Sequence, residues 1–398
     1  MLTDRPLFAR QPIFDAQMEV VAYELLFRGD AVAGETATSE VLLAALDQNV
    51  FDTAHSNLPV FVNFPSQILF ETPPFDPNNL VIEVLEDVAV TPELVSRIAE
   101  LRAQGFRIAL DDFELSPSNA NLLTVADIVK VDVLAVDDLD LEFRLLRDKV
   151  PQLLAEKVEN HDTYHACQAL GVDYFQGYFF CRPQLVNGKV ISSNQQTVLR
   201  LLSALQDETI TAQRLEQIIL EDPALTYRVL KLVNSTAFRR SAEITSVSGA
   251  VSVLGMRQLA AFVSLFVLGQ SENKSTELLG YTAMRGALCR EMGALIPSAI
   301  SADACFTLGV LSCCDAYFDI PMAVLAEGLP VHKDMRMALV WRKGVLGDLL
   351  SVAQLYQEGR WQRVANTQLE QLGVDRGSVD EAYLRAQIWT EQHLVALG

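Results

Sequence analysis

The segment "RIALDDFEL", residues 107–115, places two adjacent acids, Asp111 and Asp112, at the end of an apolar run. Neighbouring side chains on a regular strand point to opposite faces, so these carboxylates can share a site only where the strand ends and the backbone turns. Two carboxylates about 4 Å apart repel each other by roughly 4 kcal/mol at an effective dielectric of 20. A site built on several acids therefore needs protons or cations.

Other polar side chains also follow apolar runs in the first half of the chain. They are Glu24, Asn63, Glu83, Lys130, Glu156 and Gln176. Taken one at a time, an acid or amide at such a position is often a solvated turn residue or a helix N-cap, and a lysine is often an edge residue whose ammonium reaches the solvent. Their recurrence at successive strand ends indicates one mouth of a closed barrel, whereas an open doubly wound sheet would spread them along a crevice. Glu, Asp and Asn oxygens suit Mg²⁺ or Mn²⁺, and a bridging Asp suits two ions that activate water against a phosphodiester.

The spacing of apolar residues divides the chain into two regions. Up to about residue 190, short β-branched runs alternate with amphipathic stretches such as 92–104, which begins with a proline and ends before Gly105. This alternation predicts a parallel sheet buried on both faces. From residue 195 the apolar spacing is helical throughout. We therefore predict an α/β domain over residues 1–190 and an all-helical domain over 191–398, joined by a turn-rich segment.

Composition limits the classes of partner. The 398 residues include 51 acids against 31 lysines and arginines, a formal charge of -20, which argues against broad nucleic-acid binding. The most apolar run, 250–269, is interrupted by Arg257 and Gln258, so we predict a buried helix entered through a bend at Gly255 and no membrane span. The start has no signal-peptide core, and the six cysteines lack metal spacing. We expect a cytoplasmic protein with reduced, mostly buried thiols.

Residues 1–190 resemble an EAL domain, the barrel phosphodiesterase that opens cyclic di-GMP to linear pGpG. The resemblance rests on eight motifs in the family's order: "RQPIFD", "YELLFR", "FVNF", "IEVLE", "LDDF", "VKVD", "AEKVE" and "FQGYFFCRP". It implies a TIM-like (β/α)8 barrel that binds cyclic di-GMP and two Mg²⁺ or Mn²⁺ ions.

The resemblance also implies roles for individual residues. The implied metal ligands are Glu24, Asn63, Glu83, Asp111, Asp112 and Glu156, with Asp111 bridging the two ions. The implied catalytic residues are Lys130, Glu156 and Gln176. Among them, Lys130 would orient or deprotonate the attacking water, with Gln176 close by. Gln11, Arg28 and Glu159 would contact the substrate, Glu159 being the second acid of the family's Ala-Glu-Gly-Val-Glu motif. Glu86 would anchor the loop after Asp112.

That loop departs from the family pattern. The family continues with glycine, threonine and paired serines after its two aspartates, whereas this chain continues "ELSPSNANLL", with Glu114 and Pro117. The signature alanine is Leu25, and the tryptophan that often follows the signature arginine is Gly29. No implied metal ligand is lost, and this atypical loop is the reason why a non-catalytic receptor stays open as an alternative to an enzyme.

Residues 191–398 resemble an HDOD domain, a relative of HD-type phosphohydrolases that lacks their His and Asp ligands. The stretch 221–259 carries the closest fit, and Ser312 and Cys313 stand where an active relative has its His-Asp pair. The resemblance implies a regulatory or output module without HD-type metal chemistry. Its partner would be a signalling protein that the sequence does not name.

Three functions remain open from the sequence. The barrel could hydrolyse cyclic di-GMP, it could act as a non-catalytic receptor for cyclic di-GMP or another nucleotide, or the chain could be a signalling scaffold. The first two need the same ligands, so the sequence separates them poorly. A homodimer is a further expectation, because the family's loop takes part in dimer contacts.

Overall fold

The computed structural model describes residues 8–27, 58–184 (without 65, 67, 71, 72 and 74), 210–235, 238, 244–269, 274–297, 301–329 and 331–397. These residues form two compact units, divided between Phe180 and Cys181. The predicted boundary between residues 190 and 191 lies outside the described residues and stays a prediction.

The first unit is a closed eight-stranded barrel with the strands in sequence order. The strands are Phe8–Asp15 (β1), Val20–Phe27 (β2), Val60–Phe64 (β3), Leu80–Val84 (β4), Arg107–Leu110 (β5), Ile128–Asp132 (β6), Gln152–Glu156 (β7) and Tyr174–Gln176 (β8). Its described α-helices are Pro92–Ala103 (α1), Leu139–Arg147 (α2) and His161–Ala169 (α3). The predicted barrel class is confirmed.

The direction of β1 differs from the prediction of a wholly parallel sheet. β1 pairs antiparallel with both β2 and β8, whereas the other neighbouring strands pair parallel. Only the turn 16–19 separates β1 from β2, and a parallel crossover needs a far longer connection. The Asp15 carboxylate closes this turn by accepting the backbone N–H groups of Gln17 and Glu19, at 2.8 and 3.0 Å.

Helix α1 forms where the sequence predicts it. The Thr91 hydroxyl accepts the Leu94 N–H at 3.2 Å, which satisfies a backbone donor that has no partner inside the helix. Pro92 occupies the first turn, where its missing N–H costs nothing. After the helix, Gly105 adopts a φ of 101°, a conformation that side chains disfavour. The chain then turns back into β5.

One level of the barrel interior consists of apolar side chains from β1 to β7. They are Ile13, Ala22, Phe61, Val81, Ala109, Ile128 and Leu154, with Tyr174 of β8 packed against them. Because strand side chains alternate between faces, the residue two positions further along each parallel strand points inward again, nearer the strand's carboxyl end. Those residues are Glu24, Asn63, Glu83, Asp111, Lys130, Glu156 and Gln176. The apolar level is therefore the floor of a polar mouth.

The second unit is helical throughout its described residues, as predicted. Its helices are Ala212–Leu220 (α4), Pro223–Val233 (α5), Val247–Leu254 (α6), Met256–Leu268 (α7), Thr276–Gly293 (α8), Ala302–Leu311 (α9), Cys314–Phe318 (α10), Met322–Gly328 (α11), Lys333–Trp341 (α12), Gly344–Gln357 (α13), Asn366–Leu372 (α14) and Arg376–Leu397 (α15). The first part of the predicted all-helical domain, residues 191–209, lies outside the described residues.

The apolar run 250–269 bends at Gly255 as predicted, but it forms two helices of which only the later part is fully buried. Gly255 separates α6 from α7 with a φ of 77°, and the two helix axes differ by 117°. Every residue from Phe262 to Leu268 is buried. No single helix among the described residues is long and apolar enough to cross a membrane, and this bent pair reaches the threshold by length and composition only.

Candidate active site

Lys130 lies at the centre of the barrel mouth and is completely buried. Its Nζ is 2.5 Å from Glu83 Oε1, 2.7 Å from Asp111 Oδ1, 2.7 Å from Glu156 Oε1 and 3.3 Å from Glu24 Oε2. These acids come from β2, β4, the end of β5 and β7. Side chains separated by up to 132 positions in sequence thus converge on a single cationic atom. This convergence is what we expect when successive strands end at one mouth of a closed barrel.

Neutral amides complete this group. Gln176 Nε2 donates a short hydrogen bond to Glu24 Oε2, which fixes the orientation of that carboxylate. Asn63 stands beside Glu83 in the register of β3 and β4. Among the described residues, buried Asn63 Oδ1, Gln176 Oε1 and Glu83 Oε2 find no hydrogen-bond partner. Buried oxygens without a donor are costly, so they mark a place where a cation or a ligand group is favoured.

The charges at the mouth shift one another's pKa values. Burial, reinforced by the charges of Glu24 and Asp111, raises the pKa of Glu83 well above its usual range, although Lys130 opposes the shift. Burial likewise raises the pKa of Glu156 to about 8, again against the attraction of Lys130. Burial alone would lower the pKa of Lys130, but the surrounding carboxylates outweigh it and raise that pKa well above the ordinary value. Lys130 therefore carries a full positive charge at neutral pH.

Asp111 and Asp112 take different partners. Asp111 N donates to Val84 O of β4, and Phe113 N donates to Lys130 O of β6, so the chain crosses from one neighbouring strand to the other within three residues. Asp112 makes this crossing with a φ of 40°. The backbone does turn after β5, as a shared site requires, but only Asp111 contacts Lys130.

Asp112 belongs instead to a second ionic group. Lys157 Nζ donates to Asp112 Oδ1 and Oδ2 at 3.2 and 3.3 Å and to Asp132 Oδ2 at 2.5 Å. Asp132 is the last residue of β6, and its other oxygen accepts the Leu134 N–H at 2.8 Å. The group lies at the outer edge of the mouth, where the Lys157 side chain is 45% exposed.

The loop after Asp112 is held by one side chain. Asn119 Nδ2 donates to Glu114 O at 2.7 Å, and Asn119 Oδ1 accepts the Ser116 N–H at 2.8 Å. The loop borders a cleft of about 570 Å³ that also includes Glu86, Asp111, Asp112 and Asp132. Glu114, which distinguishes this loop from the family pattern, therefore lines the same cleft as the acids.

The remaining predicted residues divide into three groups. Gln11 stands opposite Glu24 in the register of β1 and β2, at the level of the polar mouth. Glu86 is exposed at the cleft, and Glu159 is half-buried after β7. Arg28 lies outside the described residues.

Sequence reasoning missed two members of the mouth, Asp132 and Lys157. Asp132 ends β6 within the quoted motif "VKVD", two positions after Lys130, so its inward direction could have been derived from strand alternation. Lys157 follows β7 with a φ of 56°. That conformation and its partners depend on the folded turn and leave no signal in residue spacing.

The donors at the mouth fit a hard divalent cation in type. Glu24, Glu83 and Asp111 supply carboxylate oxygens, and Asn63 adds a partnerless amide oxygen; Mg²⁺ and Mn²⁺ prefer such ligands. Within the part of the chain that is described, no three His, Cys, Asp or Glu side chains are arranged as a metal site. The Lys130 ammonium holds the carboxylates around itself as their cation.

The helical unit contains the residues predicted to replace an HD pair. Ser312 and Cys313 are buried between α9 and α10, and Ser312 Oγ donates to Gly309 O at 2.6 Å. Burial raises the pKa of the Cys313 thiol, although the charge of Arg285 opposes the shift. A hydroxyl turned back onto its own helix and a neutral thiol are poor ligands for a hard cation.

A closed barrel with acids, amides and a lysine at its mouth, followed by an all-helical unit, defines a two-domain protein with a polar barrel site. The EAL domain model matches residues 51–183 and the HDOD domain model matches residues 191–317. The chain belongs to the EAL–HDOD family of signal transduction proteins. Gln11 and Glu24 precede the EAL match but stand in the same barrel.

Two relatives share nearly the whole length of the chain. It is 31% identical over 397 residues to the cyclic di-GMP phosphodiesterase CdgJ of Vibrio cholerae, covering 96% of this chain and 92% of that protein. It is 30% identical over 406 residues to YuxH of Bacillus subtilis, covering 97% and 98%.

Solved EAL structures resemble the barrel part. The manganese and cyclic di-GMP complex of BlrP1 from Klebsiella pneumoniae is 24% identical, with a TM-score of 0.38, and the match covers 44% of this chain and 55% of that one. A standalone EAL protein from Vibrio cholerae O395, bound to cyclic di-GMP, is 23% identical with a TM-score of 0.37, covering 44% and 90%.

Proposed function

We propose that the barrel hydrolyses cyclic di-GMP to linear pGpG with Mg²⁺ or Mn²⁺. The observation that carries this proposal is the convergence of Glu24, Glu83, Asp111 and Glu156 on Lys130 Nζ at the carboxyl ends of the strands. Enzymes of this barrel architecture keep their chemistry at that mouth. The near full-length similarity to a cyclic di-GMP phosphodiesterase supports the choice of substrate.

Glu24, Asn63, Glu83 and Asp111 would hold a first ion. A divalent ion polarises a phosphoryl oxygen and makes a bound water more acidic. A second ion, which the resemblance implies, would draw on Asp111, Asp112 and Glu156. In the structure, however, the Asp112 carboxylate is bonded to Lys157.

Side chains at the mouth would then contribute to proton transfer and to neutralising the charge of the phosphate. Lys130 keeps its proton because its pKa is raised, so it suits the orientation of water and the neutralisation of phosphate charge. Glu156, with a pKa raised to about 8, is mostly protonated near neutral pH without metal, so it would have to release this proton before it could hold an ion or act as a base. Gln176 holds Glu24 in place. Gln11, Glu159 and Arg28 are proposed as contacts to the nucleotide.

Product analysis with a matched pair of variants tests this function. The purified chain with Mn²⁺ or Mg²⁺ should convert cyclic di-GMP to pGpG, and Glu24→Ala should lose at least a hundredfold in kcat/KM, the size expected for one essential electrostatic contact. Glu19→Ala, at an exposed position in the β1–β2 turn, is the control and should retain activity. Equal activity in both variants would remove Glu24 from the site.

The second candidate is a non-catalytic cyclic di-GMP receptor. It is favoured by the loop after Asp112, which the two Asn119 hydrogen bonds hold in a local structure of its own. Calorimetric binding of cyclic di-GMP, together with the absence of pGpG at high protein concentration with either metal, would select this candidate. Absence of binding as well would leave the signalling scaffold.

The helical unit is proposed as the regulatory or output module. Support comes from the Ser312–Cys313 pair, whose buried hydroxyl and neutral thiol do not suit HD-type metal chemistry. Its partner is proposed to be a signalling protein, and a homodimer of the chain is proposed alongside it. Pull-down from a lysate with and without cyclic di-GMP tests the module, and sedimentation tests the dimer.

A further inference from the structure

We propose that Asp319 of the helical unit is a positioning residue for the barrel mouth, on which it acts through the chain segment from Gln176 to Gln184. The inference rests on the proposed function and adds a residue that none of the EAL motifs includes. Its basis is that a few residues of backbone join a side chain at the mouth to a largely buried ion pair among the helices.

The boundary between the two units falls inside a short 3-10 helix, Phe179–Cys181. Residues 181–183 belong by their contacts to the helical unit, although the EAL domain model extends to residue 183. Only Gly177 and Tyr178 separate this helix from the end of β8. The last residues of the EAL match are therefore held in the helical unit, a short distance along the chain from the mouth.

At its barrel end, the segment begins in the polar mouth itself. Gln176 Nε2 donates to Glu24 Oε2. The backbone that follows is paired with the turn after β7, since Val158 N donates to Gln176 O at 3.0 Å and Phe179 N donates to Val158 O at 3.2 Å. The Phe179 ring stacks on Tyr164 with the centroids 4.9 Å apart. A displacement of the segment would therefore disturb both Gln176 and the turn after β7.

At its other end, the segment is held by Asp319. One carboxylate oxygen, Asp319 Oδ1, accepts the Gln184 N–H at 2.8 Å and Lys274 Nζ at 2.6 Å. The side chains of Asp319 and Lys274 are only 12% and 15% exposed. Hydrogen bonds to an ionised acceptor are stronger than those between neutral groups, so the carboxylate is an effective anchor for the Gln184 backbone.

The backbone of Asp319 indicates that its side chain has a role. Asp319 ends α10 with a φ of 55°, in the left-handed conformation. Glycine adopts this conformation at helix ends without strain, whereas a residue with a Cβ stays there only where its surroundings hold it. The surroundings here are the partners of its carboxylate. The same contacts that hold this strained turn thus hold the segment that leads to Gln176.

Asp319→Gly and Asp319→Asn in the full-length chain test this role. Glycine keeps the left-handed turn and removes the carboxylate, whereas asparagine keeps an acceptor oxygen for the Gln184 N–H. With Mn²⁺ and saturating cyclic di-GMP, Asp319→Gly should lower kcat for pGpG formation about tenfold, the size of effect known for residues that orient a ligand-holding group. Asp319→Asn should recover most of this loss.

Hydrogen exchange measures the hold on the segment independently of turnover. Peptides from residues 174–184, followed by mass spectrometry, should exchange faster in Asp319→Gly and at nearly the wild-type rate in Asp319→Asn. Asp375→Ala is the control for a loss of stability in the helical unit, because the exposed Asp375 carboxylate caps α15 by accepting the Ser378 N–H at 2.9 Å. This control should leave both kcat and the exchange of these peptides unchanged.

The outcomes separate the inference from the proposed function. Wild-type exchange or wild-type kcat in Asp319→Gly would overturn the role of Asp319 and leave the phosphodiesterase proposal standing. Equal losses in Asp375→Ala would also overturn it, because they would then follow from the stability of the helical unit alone. If the wild type forms no pGpG with either metal, the proposed function fails, and the exchange rates alone decide whether Asp319 holds the segment.

Discussion

Lys130 is a fully buried lysine whose neighbours are four carboxylates, Glu24, Glu83, Asp111 and Glu156. Without a cation among them, these acids would repel one another in a medium of low dielectric. The ammonium therefore has a structural role before any substrate is bound. A divalent ion at the same acids would take over that role and free Lys130 for the attacking water.

Lys130→Met isolates this structural role. With the ammonium gone, the buried carboxylates lose their shared cation, and we expect the barrel to lose roughly 3–5 kcal/mol of stability without metal. Excess Mn²⁺ should restore much of it, since ion binding stabilises the folded state. Melting curves with EDTA and with Mn²⁺ measure both effects. Lys149→Met, which removes an exposed lysine from the same unit, is the control and should melt like the wild type. A Lys130→Met barrel that melts like the wild type in EDTA would contradict this role.

The raised pKa values of Glu83 and Glu156 predict how metal affinity changes with pH. These carboxyl groups keep a proton to higher pH than free glutamate, and for Glu156 the pKa is about 8. A metal ligand must be ionised, so the ion has to displace these protons. Mn²⁺ affinity should therefore rise as the pH increases from 6 towards 8, the pKa of Glu156.

Calorimetry in two buffers with different ionisation enthalpies measures the protons released. The release should be greatest below pH 8 and should decrease as the pH rises above it. An affinity that is constant across this range, with no proton release, would show that the acids are already ionised in the metal-free protein.

At the scale of elements, the turn after β7 connects the two ionic groups. Glu156 ends β7 and contacts Lys130, while Lys157, the next residue, contacts Asp112 and Asp132. Val158 then pairs with the last residue of β8, because its N–H donates to Gln176 O at 3.0 Å.

Gly177 makes this close approach feasible, and its replacement is a test of the turn. It has a φ of 148°, and a Cβ built there would overlap the backbone of Val158. Gly177→Ala should lower the melting temperature of the barrel and weaken Mn²⁺ binding. Gly171→Ala is the matched control, because Gly171 has a φ of 77° and open space around it. Gly171→Ala should lower the free energy of unfolding by only roughly 1–2 kcal/mol, the cost of a left-handed residue with a Cβ. Equal losses of stability in the two variants would contradict the steric role of Gly177.

Most of the strands and the polar mouth could be predicted from the sequence, because two-residue alternation and apolar strand cores are local signals. The apolar runs Val20–Phe27 and Val60–Phe64, for example, form strands in the structure. The antiparallel direction of β1 was missed because it depends on the short turn at Asp15. The separation of Asp112 from Asp111 was missed because it depends on a positive φ and on a lysine 45 positions away.

At the scale of the whole molecule, the two units carry different kinds of buried polar group. The barrel gathers acids around a lysine at its mouth. The helical unit buries Arg285, whose guanidinium donates to Gln357 Oε1 at 2.6 Å and to Tyr281 OH at 2.5 Å and lies over the Tyr281 ring. That network joins α8 to α13 through neutral partners and has the character of a structural core. The chemistry proposed for this protein therefore belongs to the barrel.

Single-turnover hydrolysis tests the central claim most directly. The full-length chain, in excess over cyclic di-GMP, is mixed with Mn²⁺ or with EDTA, and the nucleotides are separated by chromatography over time. We expect cyclic di-GMP to disappear as pGpG appears in equal amount with Mn²⁺, and to persist in EDTA. Cyclic di-GMP that stays intact with Mn²⁺, while calorimetry shows it bound, would contradict the phosphodiesterase proposal and make the barrel a receptor.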